Sequence, residues 1–351
     1  MEFNNILDNK EYEILKTHPK MGDNLILLAY GGSIAYGTNV PTSDVDVRGI
    51  ALNPLNEIVG VEKDFEQIQF SETDTVVYSL NKLIKLLFSC NPNVIEILGC
   101  KDDHYLYLSD YGRLLLTNKN NFLSKRAIDT FGGYASAQYN RLEHGLLGNG
   151  ENEDKKLEML KHSLKREITA FNAHHQDLNK NLFLRLERLS TDDLLSIYPE
   201  KEIEDENSDE HLVLSGTLDS IPLGDFRALL AQLTTIKNDY GSINKRNTKK
   251  TDIKLAKHMM HLIRLYLMGT DLNTSMTIKT YRDTDHKMLM DIRNGKYMTR
   301  DGMHVKSAFY DLLKDIQDKY EYSVRNTILP DKPNYDAITE MLSDILRSRL
   351  K

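Results

Sequence analysis

The sequence has no tryptophan, only two cysteines (Cys90 and Cys100), and eight prolines in 351 residues. No apolar run approaches the roughly 18 residues that a membrane-spanning helix needs, so no membrane association is expected. Met1 to Lys20 is polar and lacks the apolar stretch of a signal peptide. Neither cysteine sits in a metal-like cluster, so reduced thiols and a cytoplasmic location are the expectation. Positive charge is not in excess either: 45 Lys and Arg against 52 Asp and Glu leave a net charge of −7. That balance argues against a broad nucleic-acid surface but leaves room for a local basic groove, because steering depends on where charges lie. What remains is ordinary for a soluble globular protein, 40% hydrophobic and 28% charged with 18 tyrosines, and long enough for about two domains.

The first third reads as α/β. Leu25 to Tyr30 is a short apolar run ending at Gly31-Gly32, as a buried strand meeting a tight turn does. Asp44 to Leu52 alternates Val45, Val47 and Ile50 with polar or small residues, and Thr73 to Tyr78 is short and β-branched, so both are strand candidates. From Ser79 to Phe88 the apolar spacing becomes helical, and Asn91-Pro92 stops it. Beyond about Leu116 amphipathic helices dominate, over Ala127 to Leu147, Glu153 to His174, Lys254 to Met268, Lys306 to Tyr320 and Asp336 to Leu350. Glu200 to Glu210 is acidic without apolar periodicity, the pattern of a solvated loop. The expected architecture is an α+β arrangement: a small mixed-sheet domain over residues 1–118, then a larger, mainly helical domain over 119–351.

The chemistry concentrates in Gly31-Gly32-Ser33-Ile34-Ala35-Tyr36-Gly37 and Ser43-Asp44-Val45-Asp46-Val47-Arg48-Gly49. Paired glycines after a strand let backbone N–H groups approach a phosphate closely, and Ser33 adds a hydroxyl there. On an extended strand the period of two puts Asp44 and Asp46 on one face. Adjacent like charges repel unless a cation sits between them, and carboxylate oxygens with substrate phosphates are what Mg²⁺ accepts. Taken singly, the glycines also fit a plain turn and the carboxylates a solvated strand face.

This ordered set resembles the signature of the DNA polymerase β superfamily of nucleotidyltransferases. Within it the chain is most similar to the polymerase β-like proteins of bacterial and phage RNA repair pathways. The similarity runs from Gly32-Ser33 through Tyr36-Gly37, Ser43 to Gly49 and Asp74 to Asn91-Pro92 and Glu96. A looser echo lies in Lys257, His258, His261 and Arg264. The resemblance implies a Gly-Ser turn that holds a triphosphate and two metal-binding aspartates, Asp44 and Asp46. It implies a third acidic residue on a neighbouring strand, for which Asp74 is in place and Glu72 is the alternative. It further implies Mg²⁺ or Mn²⁺, in two ions, as cofactor and an NTP, ATP favoured, as substrate. The leading acceptor is an RNA or tRNA end. A protein hydroxyl (AMPylation by an antitoxin or defence component), a small molecule, and a nucleotide-binding module without turnover are the alternatives.

Other residues divide between two readings. Arg48 suits either phosphate binding or pairing with a nearby carboxylate, and pairing is favoured. Asn91-Pro92 and Glu96 suit a helix stop and an early-turn acid. His258 and His261 lie one turn apart on a helix with Lys257 and Arg264 close by, a face better suited to nucleotide phosphates or base than to zinc. Lys245-Arg246-Asn247-Thr248-Lys249-Lys250, following Tyr240, reads as a solvated basic run or as a landing strip for RNA or a triphosphate.

Overall fold

The computed structural model describes residues 8–147, 195–201, 210–216, 234, 252–299 and 304–349. Two compact units emerge: residues 1–140 together with 252–351, and residues 141–251 between them.

The first unit is built on a five-stranded sheet of order β3-β4-β2-β1-β5. Its strands are β1 (Leu25–Tyr30), β2 (Val47–Ala51), β3 (Gln67–Phe70), β4 (Thr75–Ser79) and β5 (Tyr105–Leu108). β1 is antiparallel to β2 and β5, β3 is antiparallel to β4, and β2 and β4 run parallel, so the sheet is mixed. Leu25 to Ala29 are at most 1% exposed because β1 is covered on both faces, which explains its uninterrupted apolar run. One side of the sheet packs Leu25, Leu28, Val47, Ala51, Val77 and Leu106 against Tyr12, Leu15 and Met21.

Between β1 and β2 lies the short helix α1 (Gly32–Tyr36). After β4 comes α2 (Leu80–Phe88), capped by the Ser79 hydroxyl, which accepts the Lys82 N–H at 3.1 Å. Its buried Leu80, Leu83, Ile84 and Leu87 follow the i, i+3, i+4, i+7 spacing of one helix face. The helices α3 (Asp110–Thr117) and α4 (Arg126–Leu147) follow. Near the C-terminus come α5 (Asp252–Ser275), α6 (His286–Arg293), α7 (Ser307–Arg325) and α8 (Tyr335–Arg349). In the second unit, Leu195–Lys201 and Glu210–Gly216 form an antiparallel hairpin, with Leu195 opposite Gly216 and Lys201 opposite Glu210.

The α/β beginning and helical continuation are as expected, with three corrections. Strand β2 starts at Val47, so Asp44 and Asp46 precede it rather than lie within it. The ends of the acidic stretch, Glu200-Lys201 and Glu210, belong to the hairpin. The chain does not divide near residue 118, because residues 252–351 return to the N-terminal sheet. The cause is α5: Leu255, Ala256, Met259, Met260, Leu262, Ile263 and Leu265 are each at most 3% exposed. A helix buried on nearly every side needs neighbours on every side, and Tyr36 and Glu96 of the N-terminal segment are among those it meets. The expected helix Glu153 to His174, the histidines His174-His175, Tyr240 and the basic run Lys245 to Lys250 lie outside the described residues.

Candidate functional site

The turn after β1 is held in an unusual backbone. Gly31 N–H donates to the Asp46 carbonyl at 2.8 Å, extending the β1–β2 pairing by one step, and Gly32 then adopts φ +53°. A Cβ on Gly32 would lie 2.0 Å from Oδ2 of Asp46, so only glycine permits this approach of carboxylate to turn. The first N–H groups of α1, beginning at Gly32 and Ser33, have no partners within the helix. At the other end of α1, Gly37 closes the helix in a left-handed conformation (φ +70°), its N–H donating to the Ile34 carbonyl at 2.9 Å.

The approach to β2 is shaped by a turn at Val40-Pro41-Thr42-Ser43, where Ser43 N–H donates to the Val40 carbonyl at 2.8 Å and the Ser43 hydroxyl accepts the Val40 N–H at 2.9 Å. Asp44 follows and is exposed, and Asp46 is half-buried. Asp46 Oδ1 accepts from Arg48 Nη2 at 2.9 Å. Arg48 Nη1 also donates to the carbonyls of Val47 and Asp74, at 2.9 and 2.8 Å.

Asp74 enters through the parallel ladder. Val47 pairs with Thr75 and Arg48 with Val76, so Asp74 sits beside Asp46 where the two strands begin. Its φ of +43° lies in the left-handed region that aspartate tolerates better than most residues. Its side chain is exposed. Asp44, Asp46 and Asp74 thus share one end of the β2–β4 pair. Among the described residues no three acidic, histidine or cysteine side chains converge into a preformed metal-ligating group.

A cleft of about 240 Å³ opens beside the turn, lined by Gly31, Gly32, Tyr36, Arg48, Tyr78 and Glu96 among others. Its floor is a buried polar assembly that draws on distant parts of the chain. Tyr36 OH donates to Glu96, and Arg264 Nη1 donates to the other Glu96 oxygen at 2.6 Å. The Arg264 guanidinium carbon lies 3.6 Å from the centre of the Tyr36 ring, a cation–π contact. Burial pushes the Tyr36 phenol upward, which keeps it protonated as the donor. Burial likewise pushes the Cys100 thiol up to about 12, so Cys100, at the cleft wall, is no thiolate nucleophile.

The α5 residues differ in placement. Lys257 is exposed. His258 Nδ1 lies 2.9 Å from Gln138 Oε1. His261 meets the Tyr36 ring edge-on at 5.8 Å, and burial followed by basic neighbours lowers its pKa well below the ordinary value. Arg264 is 4% exposed and committed to Glu96 and Tyr36, so it lies beneath the cleft instead of lining it. Three residues with no motif in the sequence also hold this region. Thr280 Oγ1 donates to the Glu96 carbonyl at 2.6 Å, the Tyr281 ring packs on Gly37, and His286 Nε2 lies 2.7 Å from the Gly37 carbonyl. No local sequence signal marks them, since each acts through a partner far away along the chain.

With the geometry in place, comparison with known proteins adds a similarity over part of the chain. The model of the RNA repair pathway DNA polymerase beta family matches residues 7–162, a stretch that contains the glycine turn, Asp44, Asp46, Asp74 and Glu96. No curated protein and no solved structure matches the chain. Over residues 7–162, less than half of its length, the chain is similar to the RNA repair pathway DNA polymerase beta family.

Proposed function

We propose that the chain is a metal-dependent nucleotidyltransferase that moves an NMP from an NTP, ATP favoured, to a hydroxyl acceptor, with an RNA or tRNA end as the leading acceptor. One observation carries this reading: the Asp46 carboxylate rests on the Gly31-Gly32-Ser33 turn so closely that a Cβ at position 32 has no room. Anion-seeking backbone N–H groups and an anionic carboxylate then face the same ligand. A triphosphate together with a cation meets both demands, and neither does so alone.

The donors fit a hard divalent ion, since Asp44, Asp46 and Asp74 offer only carboxylate oxygens, and all three are at least partly accessible. When bound, Mg²⁺ or Mn²⁺, in one or two ions, would neutralise phosphate charge and that of the departing pyrophosphate. Arg48 now supplies the counter-charge to Asp46 and lines the cleft, placing it to contact phosphate when Asp46 turns to a cation. The turn N–H groups and the Ser33 hydroxyl hold the phosphates, and Lys257, His258 and His261 approach from α5. Arg264 acts indirectly, by fixing Tyr36 at the end of α1.

In the reaction, the acceptor hydroxyl oxygen bonds to the α-phosphorus as the bond from that phosphorus to the bridging oxygen breaks. Pyrophosphate leaves with the electron pair. The hydroxyl proton passes to a carboxylate, for which Asp74 is the candidate.

The test incubates the protein and an Asp44→Ala/Asp46→Ala variant with each α-labelled NTP, Mg²⁺ or Mn²⁺, and cellular RNA and protein. Label on RNA with pyrophosphate release, both lost in the variant, is the expected result. Label on a protein band instead indicates AMPylation. NTP binding by the folded wild type without pyrophosphate release overturns the catalytic reading in favour of a binding module.

A further inference from the structure

The cleft beside the glycine turn is lined by more than the turn and Arg48. Tyr78 and Asn93 share its wall, and no step of the proposed reaction uses them. The pattern of β4 explains Tyr78. Thr75, Val77 and Ser79 are buried, and Val77 belongs to the core on one side of the sheet, whereas the alternating Val76 and Tyr78 are half-buried and line the cleft. Val76 pairs with Arg48, so Tyr78 stands two residues beyond the arginine that holds Asp46, about 7 Å along the strand.

Asn93 arrives on the short helix Pro92–Ile95. Asn91 caps that helix, its side-chain oxygen accepting the Asn93 N–H at 3.0 Å while its amide donates to Tyr134 OH at 3.3 Å. Capping thus falls to Asn91, and Asn93 is exposed. Among the described residues, neither the Asn93 carboxamide nor the Tyr78 hydroxyl has a hydrogen-bond partner, and the Tyr78 ring meets no other ring. At about 240 Å³ the cleft is smaller than the roughly 300–1,000 Å³ of sites for drug-sized ligands, a size that suits one nucleoside. Its wall offers turn N–H groups and a guanidinium, then an aromatic face and an amide. A nucleotide has the matching layout, anionic at one end, flat and hydrogen-bonding at the other.

We propose that Tyr78 and Asn93 make this cleft a nucleoside-binding site, with the base stacked on the Tyr78 ring and its edge hydrogen-bonded by the Asn93 amide. Every base has a π-face, so stacking supplies affinity without choosing among bases. A carboxamide presents a donor and an acceptor together, the pair that adenine complements with N7 and its N6 amino group. The assignment rests on the nucleotidyl-transfer reading for the source of the nucleoside, which is either the NTP or the terminal residue of an RNA acceptor.

Calorimetric titration of the full chain with Mg²⁺ distinguishes these sources. The probes are α,β-methylene-ATP, whose α-phosphorus cannot shed pyrophosphate, inorganic tripolyphosphate and a short single-stranded RNA. Tyr78→Ala is expected to weaken nucleotide binding about tenfold or more, and Tyr78→Phe, which keeps the ring, to retain most of it. Asn93→Ala should weaken it about threefold or more. Tripolyphosphate has no base and should bind every variant as it binds the wild type. Weakening of the ATP analogue assigns the site to the NTP, whereas weakening of RNA alone assigns it to the acceptor. Unchanged affinity for both nucleotide probes, or an equal loss for tripolyphosphate, overturns the proposal. If Tyr78→Ala does not fold, the decision passes to Asn93→Ala, a change at an exposed position, and unaltered nucleotide affinities there overturn it equally. Weakened nucleotide binding in the variants, with no NMP transfer by the wild type, would leave the site standing and sink the catalytic reading. Transfer by the wild type with unaltered affinities in the variants does the reverse, and a wild type that binds none of the probes overturns both.

Discussion

At the scale of single residues, Gly32 and Asp46 define each other. A methyl group on Gly32 meets two penalties at once: a left-handed backbone costing about 1–2 kcal/mol and a contact 2.0 Å from Asp46 Oδ2. Gly32→Ala is therefore expected to lower the melting temperature modestly and NMP transfer far more, because Asp46 must swing away. Retention of full transfer in a variant of normal stability would show that the contact carries no catalytic role. Asp46→Asn separates charge from shape. Its ion pair with Arg48 is part-exposed, so the stability change should stay within about 1 kcal/mol. Single-turnover transfer should fall on the order of 10²–10³-fold, the scale seen when one electrostatic stabiliser is removed from an active site. These residues were legible in the sequence because glycine after a strand and alternating aspartates are local signals. Tyr281 and His286 were not, since each meets Gly37 from far along the chain.

At the scale of elements, α1 is a five-residue helix that cannot hold itself in place. Tyr36, Glu96 and Arg264 supply the anchorage, with Tyr281 and His286 closing over Gly37. Glu96→Ala strands a buried guanidinium and is expected to cost about 3–5 kcal/mol. Glu96→Gln, which still offers a carbonyl oxygen, should cost clearly less. Denaturant titration of the two variants gives the comparison, and equal losses would mean that the anchorage does not depend on this acceptor. The helices α2, α4, α5, α7 and α8 were readable from apolar spacing, whereas the eight-residue α6 was not. β3 and β5 were not: Gln67–Phe70 is an edge strand with two exposed glutamines, and Tyr105–Leu108 is only four residues long. Short edge strands are stabilised by their neighbours, and their own sequence carries little of the pattern.

Across the whole molecule, residues 252–351 are part of the N-terminal unit and not an appended domain. Besides the Glu96–Arg264 pair, Tyr320 OH donates to the Ile128 carbonyl at 2.8 Å, Lys125 N–H donates to the Pro330 carbonyl at 2.8 Å, and Arg349 Nη2 donates to Asn24 at 2.7 Å. A fragment of residues 1–118 should accordingly show no cooperative unfolding transition by circular dichroism, whereas the full chain should. A sharp transition in the fragment would refute this view of the fold. Stability should also fall with acid in two steps. Burial and then the basic neighbours lower the His261 pKa, so the imidazole is neutral in the fold while the unfolded chain takes up a proton. That contribution is present above about pH 6.5 and is lost as pH falls below it. Burial opposes ionisation of Glu57, but hydrogen bonds from Lys20, Asn53 and the Phe65 N–H outweigh it and lower the pKa. Its contribution is present above the ordinary carboxyl value, about 4.3, and fades as pH drops through the lower folded value. Melting temperature against pH shows both steps, and His261→Gln should flatten the upper one. By itself the sequence determined the order of strand, glycine turn and carboxylates, and with it the family resemblance, because those signals depend on residue type and on neighbours a few positions away. Only the tertiary structure decided that Asp74 stands beside Asp46, that Arg264 lies under Tyr36 and that Tyr281 and His286 close over Gly37. Those outcomes depend on which distant segments pack together, and burial and pairing are properties of that packing.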